Sequence, residues 1–184
     1  MLSRRTLVGR IIVAVSSSPD SPVIVRSFRP QDLEACRVLY VEGLLGGKLA
    51  ENDTGLDIDD IESAYMKTPG NHFWVAETAE PKVVGMIGVQ RHEDDAGEIR
   101  RLRVSKDHRR RGIGSMLVET AIKFCADRGY LKVVFDTFME REPALKLFEK
   151  FRFRHGRSPG RRHRPSPSAG AGCSGRRPRD RAAR

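Results

Sequence analysis

The sequence is poor in the residues that cross-link small proteins or bind metals. Its 184 residues include three cysteines, Cys36, Cys125 and Cys173, which are widely separated and form no Cys-x-x-Cys pair. An odd number of scattered cysteines excludes a disulfide framework and a conventional zinc site, and it favours a reducing compartment. The five histidines show no metal-ligand spacing. We therefore predict a cytoplasmic protein that uses no metal.

A long apolar run is also lacking. No stretch approaches the roughly 20 apolar residues that a membrane-spanning helix needs, so the sequence predicts no integral membrane segment. Hydrophobic residues make up 39% of the chain and charged residues 32%, a composition that supplies one sizeable core. A chain of this length is expected to form one domain with at most a small appendage.

Excess basic charge is absent from most of the chain, although the net charge is +10. Residues 1–153 hold 24 Lys and Arg against 23 Asp and Glu, whereas residues 154–184 hold ten Arg and one acid. The basic character thus belongs to the C-terminal tail. Nucleic-acid binding through this tail is an alternative function, but the nearly neutral domain and the tail's lack of aromatic residues disfavour it.

Composition divides the chain into three parts. We expect residues 1–20, which are rich in serine and nearly free of acid, to be a disordered extension. Residues 21–154 are expected to form the folded domain. Residues 155–184 consist almost entirely of Arg, Gly, Pro, Ser, Ala and His, and such a segment buries too little apolar area to offset its ordering entropy. We expect a disordered tail there.

The tail also lacks lysine, which is typical of GC-rich DNA translated in a shifted frame. We hypothesise that it is not the ancestral C-terminus. An intact reading frame that matches the tail in close relatives would contradict this hypothesis.

Hydrophobic periodicity predicts a mixed domain of strands and helices. Strand-like runs occur near residues 23–26, 73–76, 83–89, 98–104, 131–135 and 151–153, and the run at 131–135 is rich in β-branched residues. Apolar residues recur at helical spacings from residue 30, from residue 57, over 112–128 and over 142–150. The strand, helix and strand between residues 98 and 135 form a βαβ unit.

A loop rich in arginine and glycine joins the first strand of that unit to its helix. Over residues 104–115 it has the sequence Val-Ser-Lys-Asp-His-Arg-Arg-Arg-Gly-Ile-Gly-Ser. A helix N-terminus offers unpaired N–H groups, and Gly112 and Gly114 let an anion approach the backbone closely. The loop is neither a Walker loop, since no Gly-Lys-Ser/Thr follows, nor a Rossmann fingerprint, since Leu117 occupies the third glycine position. It is a candidate phosphate site, with a turn carrying solvated arginines as the alternative.

This segment resembles motif A of the GNAT superfamily, the acetyl-CoA-dependent N-acetyltransferases. Arg109, Gly112 and Gly114 match the defined positions of Arg/Gln-x-x-Gly-x-Gly/Ala, and residues 144–153 are similar to the family's Ala-x-x-Leu-Tyr-Glu-x-x-Gly-Phe segment. The resemblance implies an α/β (α+β) fold with a mixed, mostly antiparallel sheet of six to seven strands and about four helices. Because the tail cannot supply it, we expect the family's final strand to be missing.

The resemblance also implies a function, the transfer of acetyl from acetyl-CoA to a primary amine by direct attack. The backbone of residues 102–104 would bond to pantetheine, an N–H near Leu102 would polarise the thioester carbonyl, and the N–H groups of residues 110–115 would hold the pyrophosphate. Arg109 would support the loop, and Lys106 or Arg111 would reach the nucleotide phosphate. The implied cofactor-binding residues are Leu102, Arg103, Val104, Arg109, Arg110, Arg111, Gly112, Ile113, Gly114 and Ser115.

Direct attack requires a neutral amine, and a carboxylate can accept the proton that the amine loses. Glu98 matches the place of the general-base glutamate in the histone acetyltransferase branch of the family; a solvent-facing glutamate beside Arg100 is the alternative. The family's proton-donating tyrosine is replaced by Phe148. Water, Tyr40, Tyr65 or an unassisted thiolate all stay open as replacements.

Departures from the family pattern cluster near the C-terminus, where Arg141 replaces an Asn that often contacts CoA and Arg152 replaces a glycine. They leave a non-catalytic acyl-CoA-binding descendant as an alternative. The acceptor is expected to be a small-molecule or protein amine, and the protein a monomer or homodimer. Several acids either favour a cationic amine or form a solvated surface: Glu51, Asp53, Asp57, Asp59, Asp60 and Glu62.

Overall fold

The fold is described by a computed structural model that covers residues 4–9, 23–44, 53–93, 95–138 and 142–156. Its strands are β1 (Arg4–Gly9), β2 (Val23–Ser27), β3 (His72–Thr78), β4 (Val83–Glu93), β5 (Ala96–Val104), β6 (Lys132–Phe138) and β7 (Arg154–Gly156). Its α-helices are α1 (Leu33–Glu42), α2 (Leu56–Asp59), α3 (Ile113–Asp127) and α4 (Glu142–Lys150). Short 3-10 turns precede α1 and α3, and a π-helical turn, Glu62–Met66, follows α2.

The seven strands form one mixed sheet in the order β2-β3-β4-β5-β6-β1-β7. The pair β5 and β6 is parallel, and the other neighbours are antiparallel. The parallel pair is joined through α3, which confirms the predicted βαβ unit. The predicted fold class, a mostly antiparallel mixed sheet with helices, is confirmed. Among the described residues no helix is long and apolar enough to cross a membrane.

Two apolar cores cover the two faces of the sheet. On one face, α3 buries a stripe that includes Ile113, Leu117, Ala121 and Cys125. On the other face, Cys36 of α1 packs with the residues around α2 and β3. Burial raises the pKa of both cysteine thiols to about 12. These two cysteines are therefore buried core residues, as their positions on apolar helix stripes predict.

The N-terminal segment differs from its prediction. Residues 4–9 form β1, which lies antiparallel between β6 and β7, so the expectation of disorder is wrong for these six residues. Leu7 pairs with Phe135 on one side and with His155 on the other. A short strand with two neighbours has hydrogen-bond partners for its backbone that lie far away in the sequence, and local composition does not reveal them. The rest of residues 1–20 lies outside the described residues.

The C-terminal end of the domain also differs. A short strand, β7, follows Phe153 and pairs with β1, so the strand predicted at residues 151–153 lies three residues later. The expectation that a further, final strand is missing concerns residues beyond β7, which lie outside the described residues. Residues 151–152 form a turn rather than the predicted strand. Arg152, which stands where the family has glycine, adopts the left-handed conformation that glycine favours, with φ of 60°. The predicted tail overlaps β7 at residues 155–156, and residues 157–184 lie outside the described residues.

Candidate active site

Strand β5 presents one apolar and one charged face. Ile99 is buried in the core beneath α3, whereas Glu98 and Arg100 lie on the opposite face. Arg100 pairs across the ladder with Gly88, and a Cβ atom built on Gly88 would lie 2.6 Å from Cε1 of Tyr65. The charged face of β5 therefore points toward the side of the sheet covered by α1, α2 and Tyr65.

The regular pairing of β5 with β4 is interrupted at one place. Arg100 and Arg103 pair with β4 residues that are only two positions apart, so Arg101 and Leu102 together stand opposite a single residue. Arg101 has φ of 57°, in the left-handed region. Such a bulge removes backbone groups from the ladder and redirects a side chain. As a result, the side chain of Arg101 lies on the same face as that of Arg100.

Strands β5 and β6 are paired along only part of their lengths. Residues 96–99 pair with residues 132–135, yet β5 continues to Val104 and β6 continues to Phe138. Beyond these pairs the two strands diverge, so residues 100–104 have no strand beside them on this side among the described residues. An extended ligand can hydrogen-bond to such a strand segment as an added strand does. The predicted pantetheine-binding residues, 102–104, lie in this segment.

The loop that follows β5 leads directly to the N-terminus of α3. Arg109 Nε donates a hydrogen bond of 3.1 Å to the carbonyl oxygen of Val104 and so joins the loop to the strand end. Arg110 has φ of 66°, and Gly112, the N-cap of α3, has φ of 79°. Left-handed positions of this kind help to gather backbone N–H groups into an anion-binding concavity, and the dipole of α3 adds positive potential there.

The two glycines of the loop differ in their surroundings. A Cβ atom built on Gly112 would meet no atom within 4 Å, so the space in front of the helix N-terminus is open. A Cβ atom on Gly114 would lie 3.1 Å from Cδ2 of Leu147 in α4. Gly112 thus provides backbone conformation and open space, whereas Gly114 also permits close packing of α3 on α4. Open space at the N-cap fits a phosphate group.

Glu98 occupies a sheltered position on the charged face of β5. Its side chain is 13% exposed, and its Oε2 lies 3.9 Å from Nδ1 of His92 on β4. Leu102 lies four positions further along the chain, which is about 13 Å along a strand at roughly 3.3 Å per residue. The carboxylate would therefore reach an amine held at the bulge by way of a water molecule. Its role as general base stays a prediction.

Arg101 forms a buried ion cluster with two of the acids. Its NH1 and NH2 groups donate to the Asp53 carboxylate at 2.6 and 2.8 Å, and its Nε donates to Asp57 at 2.8 Å. Burial raises the pKa of Asp53, but hydrogen bonds and charge from Arg101 outweigh burial and lower the pKa to about 2. The same balance lowers the pKa of Asp57. The negative charge of this pair is thus offset within the protein rather than directed to a cationic acceptor.

The remaining acids of that group are placed differently. Glu62 forms an ion pair of 3.2 Å with Lys67, and Asp59 lies 3.9 Å from Arg37. Asp60 is exposed. These three therefore match the solvated-surface interpretation, and Glu51 lies outside the described residues.

The candidate proton donors also occupy different environments. Phe148 is fully buried, and its ring stacks on that of Phe135 with 3.7 Å between centroids, so it belongs to the core. The Tyr65 hydroxyl donates a hydrogen bond of 2.6 Å to Asp57. The buried Tyr40 hydroxyl has no well-oriented hydrogen-bond partner among the described residues, and Arg101 lies over its ring at 5.1 Å. The Asp53 carboxylate lies near the Tyr40 hydroxyl and contributes to raising its pKa.

The structure brings most of the predicted residues together. The ten predicted cofactor-binding residues lie in one continuous stretch that includes the end of β5, the loop and the first turn of α3. Arg110 and Arg111 are exposed, and Arg103 NH1 donates to the carbonyl oxygen of Leu102 at 2.8 Å. Arg141 lies outside the described residues. Within the described part of the chain, no group of three or more His, Cys, Asp or Glu is placed to hold a metal ion.

Two arginines of this region were not predicted as functional residues. Arg100 and Arg101 are consecutive on a strand whose faces are both covered by helices. Successive side chains of a strand point to opposite faces of the sheet, so one of these arginines would enter the apolar core beneath α3 unless a bulge brings both to the charged face. That adjacency is the signal in the sequence from which the bulge could have been predicted.

Comparisons with known proteins agree with this geometry. A model of the Acetyltransferase (GNAT) family matches residues 40–153. N-acetyltransferase 8 of Homo sapiens is 38% identical over 103 residues, which cover 53% of this chain and 45% of that protein. N-acetylaspartate synthetase of Homo sapiens is 31% identical over 153 residues, which cover 83% of this chain and 50% of that protein. The chain thus spans about half the length of the curated relatives it matches.

A solved structure shows the same fold. The crystal structure of an acetyltransferase of the GNAT family from Staphylococcus aureus Mu50 aligns with a TM-score of 0.62 at 20% identity, over 70% of this chain and 81% of that chain. At this identity the likeness concerns the fold alone. The family model, however, covers more than half of the sequence, including β5, the loop and α3. The chain belongs to the Acetyltransferase (GNAT) family.

Proposed function

We propose that this protein transfers an acetyl group from acetyl-CoA to a primary amine. The observation that supports this most directly is the continuity of three features along one segment. The strand pair diverges beyond residue 99, the bulge follows at Arg101, and the anion site follows at the N-terminus of α3. An acyl thioester with a long arm and a pyrophosphate at its far end matches this order of features.

The shape and charge of the described residues fit acetyl-CoA. The open space at Gly112 accommodates a phosphate, which the N–H groups and dipole of α3 stabilise. The Arg109 hydrogen bond to Val104 holds the loop against the strand that receives the pantetheine arm. Leu102 lies at the bulge, where a backbone N–H outside the ladder polarises the thioester carbonyl. Lys106 or Arg111 supplies further positive charge near the nucleotide.

The charged face of β5 and the tyrosines near it supply the groups that accept and donate protons in this reaction. The nitrogen lone pair of the neutral amine attacks the thioester carbon, so that a C–N bond forms and the C–S bond breaks. The proton lost by the amine passes to Glu98 through water. The departing thiolate takes a proton, for which Tyr40 is the candidate because the Tyr65 hydroxyl already donates to Asp57. Burial and the nearby Asp53 carboxylate raise the pKa of Tyr40, which keeps its hydroxyl protonated.

A calorimetric titration of acetyl-CoA into the full-length chain tests the binding step. We expect binding in the micromolar range, and release of free CoA thiol when amines are added measures turnover. A folded protein that does not bind acetyl-CoA would overturn the assignment of the loop.

The second candidate function is binding of acyl-CoA without catalysis. The burial of Phe148 in the core favours it, because the proton donor of many family members is absent from that position. Binding of acetyl-CoA without thiol release for any amine would establish this second function. Thiol release that depends on an amine would exclude it.

A further inference from the structure

Strand β1 lies in the sheet far from the strand that follows it in the sequence. It is inserted between β6 and β7 and is antiparallel to both. β2, the next strand of the chain, forms one edge of the sheet and lies five strand positions away. Adjacent strands are about 4.8 Å apart, so β1 and β2 are separated by roughly 24 Å. The chain therefore crosses most of the width of the sheet between these two strands.

The directions of the two strands lengthen this path. Four of the five steps from β2 to β1 are antiparallel, so both strands run in the same direction. β1 ends at Gly9, beside the start of β6, whereas β2 begins at Val23, beside the end of β3. A connection between strands of the same direction returns along the sheet over one of its faces. Both faces are covered here, one by α3 and the other by α1.

The connecting segment is short for such a path. Residues 10–22 give fourteen Cα–Cα steps from Gly9 to Val23, which span at most roughly 50 Å. The direct diagonal is about 29 Å, from roughly 24 Å of width and about 17 Å of strand length. A path over a layer of helices about 10 Å thick, and down again, adds roughly 20 Å. Within one chain this connection therefore uses nearly the whole reach of the segment.

The strands on either side of β1 depend on it for pairing. β7 has no other partner strand among the described residues. All six residues of β1 pair with β6, whereas β5 pairs with β6 only as far as Phe135. Beyond Phe135, β1 is the strand that accompanies β6 in the described part of the chain. The chain that supplies β1 thus also supports one wall of the gap between β5 and β6.

We propose that β1 is exchanged between two copies of this chain, so that each copy inserts its β1 between β6 and β7 of the other. The exchange keeps every pairing of β1, because both copies have the same sequence. It also removes the need for the connecting segment to return across a covered face of its own sheet. Short connections under strain favour this exchange, which is a low-cost route to a symmetric dimer. The inference does not depend on the proposed function.

Disulfide trapping tests which chain supplies β1. Thr6 of β1 and Asp136 of β6 are register partners, and opposite residues of antiparallel strands have Cα atoms about 4.5–5.5 Å apart, within the range of a disulfide. Chains with Thr6→Cys and chains with Asp136→Cys are refolded together and oxidised. Both also carry Cys173→Ser, which leaves only the buried Cys36 and Cys125 as native thiols. We expect a covalent dimer of the two chains.

Arg5→Cys replaces Thr6→Cys in the matched control. Adjacent positions of a strand alternate between its two faces, so a cysteine at position 5 should not reach position 136. A chain with both Thr6→Cys and Asp136→Cys shows that the disulfide forms at this pair. If that chain forms the bond within itself and the mixture of single variants gives no covalent dimer, the exchange is refuted.

The length of the connection gives a second test. Light scattering should show a dimer for the unaltered chain. Insertion of about ten Gly and Ser residues between residues 15 and 16 should shift it to a monomer, because β1 then reaches the position in its own sheet without strain. The same insertion between Glu80 and Pro81, in the exposed turn between β3 and β4, should leave the dimer intact. Both variants should still melt cooperatively, since neither loses a strand pairing. A monomeric unaltered chain, or a dimer that the first insertion leaves unchanged, would overturn the inference.

Discussion

The two faces of β5 contribute to the candidate active site by different means. On the side of α3, the loop and the helix N-terminus present backbone N–H groups from a single continuous segment. On the opposite side, the charged cluster joins the side chains of Asp53, Asp57 and Arg101, which come from separate segments. The anion site is therefore local, whereas the acceptor side depends on how the chain folds.

This difference has consequences for stability. A substitution in the loop changes contacts with a ligand but removes few contacts within the protein. A substitution in the cluster leaves buried charges without partners, so it changes stability as well as function. The following predictions test this contrast, from the largest expected effect to the smallest.

Gly112→Asp should abolish acetyl-CoA binding, with affinity lower by at least about 100-fold, because bulk and negative charge would occupy the anion site. Calorimetry measures the loss. Gly129→Asp is the matched control, since Gly129 also has positive φ, at 76°, and a Cβ atom there would meet no atom within 4 Å. The two variants should have similar melting temperatures, and unchanged affinity in Gly112→Asp would refute the anion site.

Glu98→Gln should lower kcat by about 100-fold near neutral pH, the lower end of what general-base catalysis contributes. Acetyl-CoA affinity should stay nearly unchanged, because Glu98 lies away from the loop. Rates of single turnovers across pH measure the effect, with Glu149→Gln, an exposed glutamate of α4, as control. Undiminished turnover would remove Glu98 from the mechanism.

Arg101→Leu should destabilise the fold by about 3 kcal/mol, because two buried carboxylates lose their cation. Chemical denaturation measures the loss. Arg26→Leu is the control, since Arg26 also pairs with two carboxylates, Asp32 and Glu77, at 2.7 Å each. Both variants should lose stability, but only Arg101→Leu should change KM for the acceptor. An unchanged acceptor KM in Arg101→Leu would place its cluster outside the site.

The pH dependence of stability should also change sign in Arg101→Leu. In the unaltered protein the pKa of Asp53 falls from 3.8 to about 2 on folding, so this carboxylate stabilises the fold above pH 4 and loses that effect as pH falls toward 2. Without Arg101 the buried carboxylate has a pKa above its usual value. Lowering the pH from 7 to 5 should then stabilise the variant, and denaturation at both pH values measures this.

Gly114→Ala should have the smallest effect. Gly114 lies in the first turn of α3, where the preference of alanine over glycine is smaller than the about 1 kcal/mol of a helix interior, and this gain opposes the 3.1 Å approach to the end of the Leu147 side chain. We expect stability to change by less than about 1 kcal/mol and acetyl-CoA to remain bound. Loss of binding as complete as in Gly112→Asp would show that the loop tolerates no side chain at either glycine.

The local patterns of the sequence were sufficient to predict the βαβ unit and to locate the candidate anion site in its loop. The apolar stripe of α3 and the glycines at 112 and 114 are contiguous, and helix formation and N–H presentation depend on neighbours within one or two turns. Local composition failed at both ends of the domain. β1 and β7 are short and gain their stability from pairing with each other, and β1 also pairs with β6, so their partners are distant in the sequence.

The sequence by itself determined the order of the elements from β2 to α4 and the loop that we propose presents N–H groups to an anion. Only the tertiary structure decided which charges remain available. The bulge of β5 places Arg100 and Arg101 on one face, and Asp53 and Asp57 then accept four hydrogen bonds from Arg101. Because ion pairing depends on distances between residues that are far apart in the chain, no local pattern indicates which arginine these two carboxylates bind.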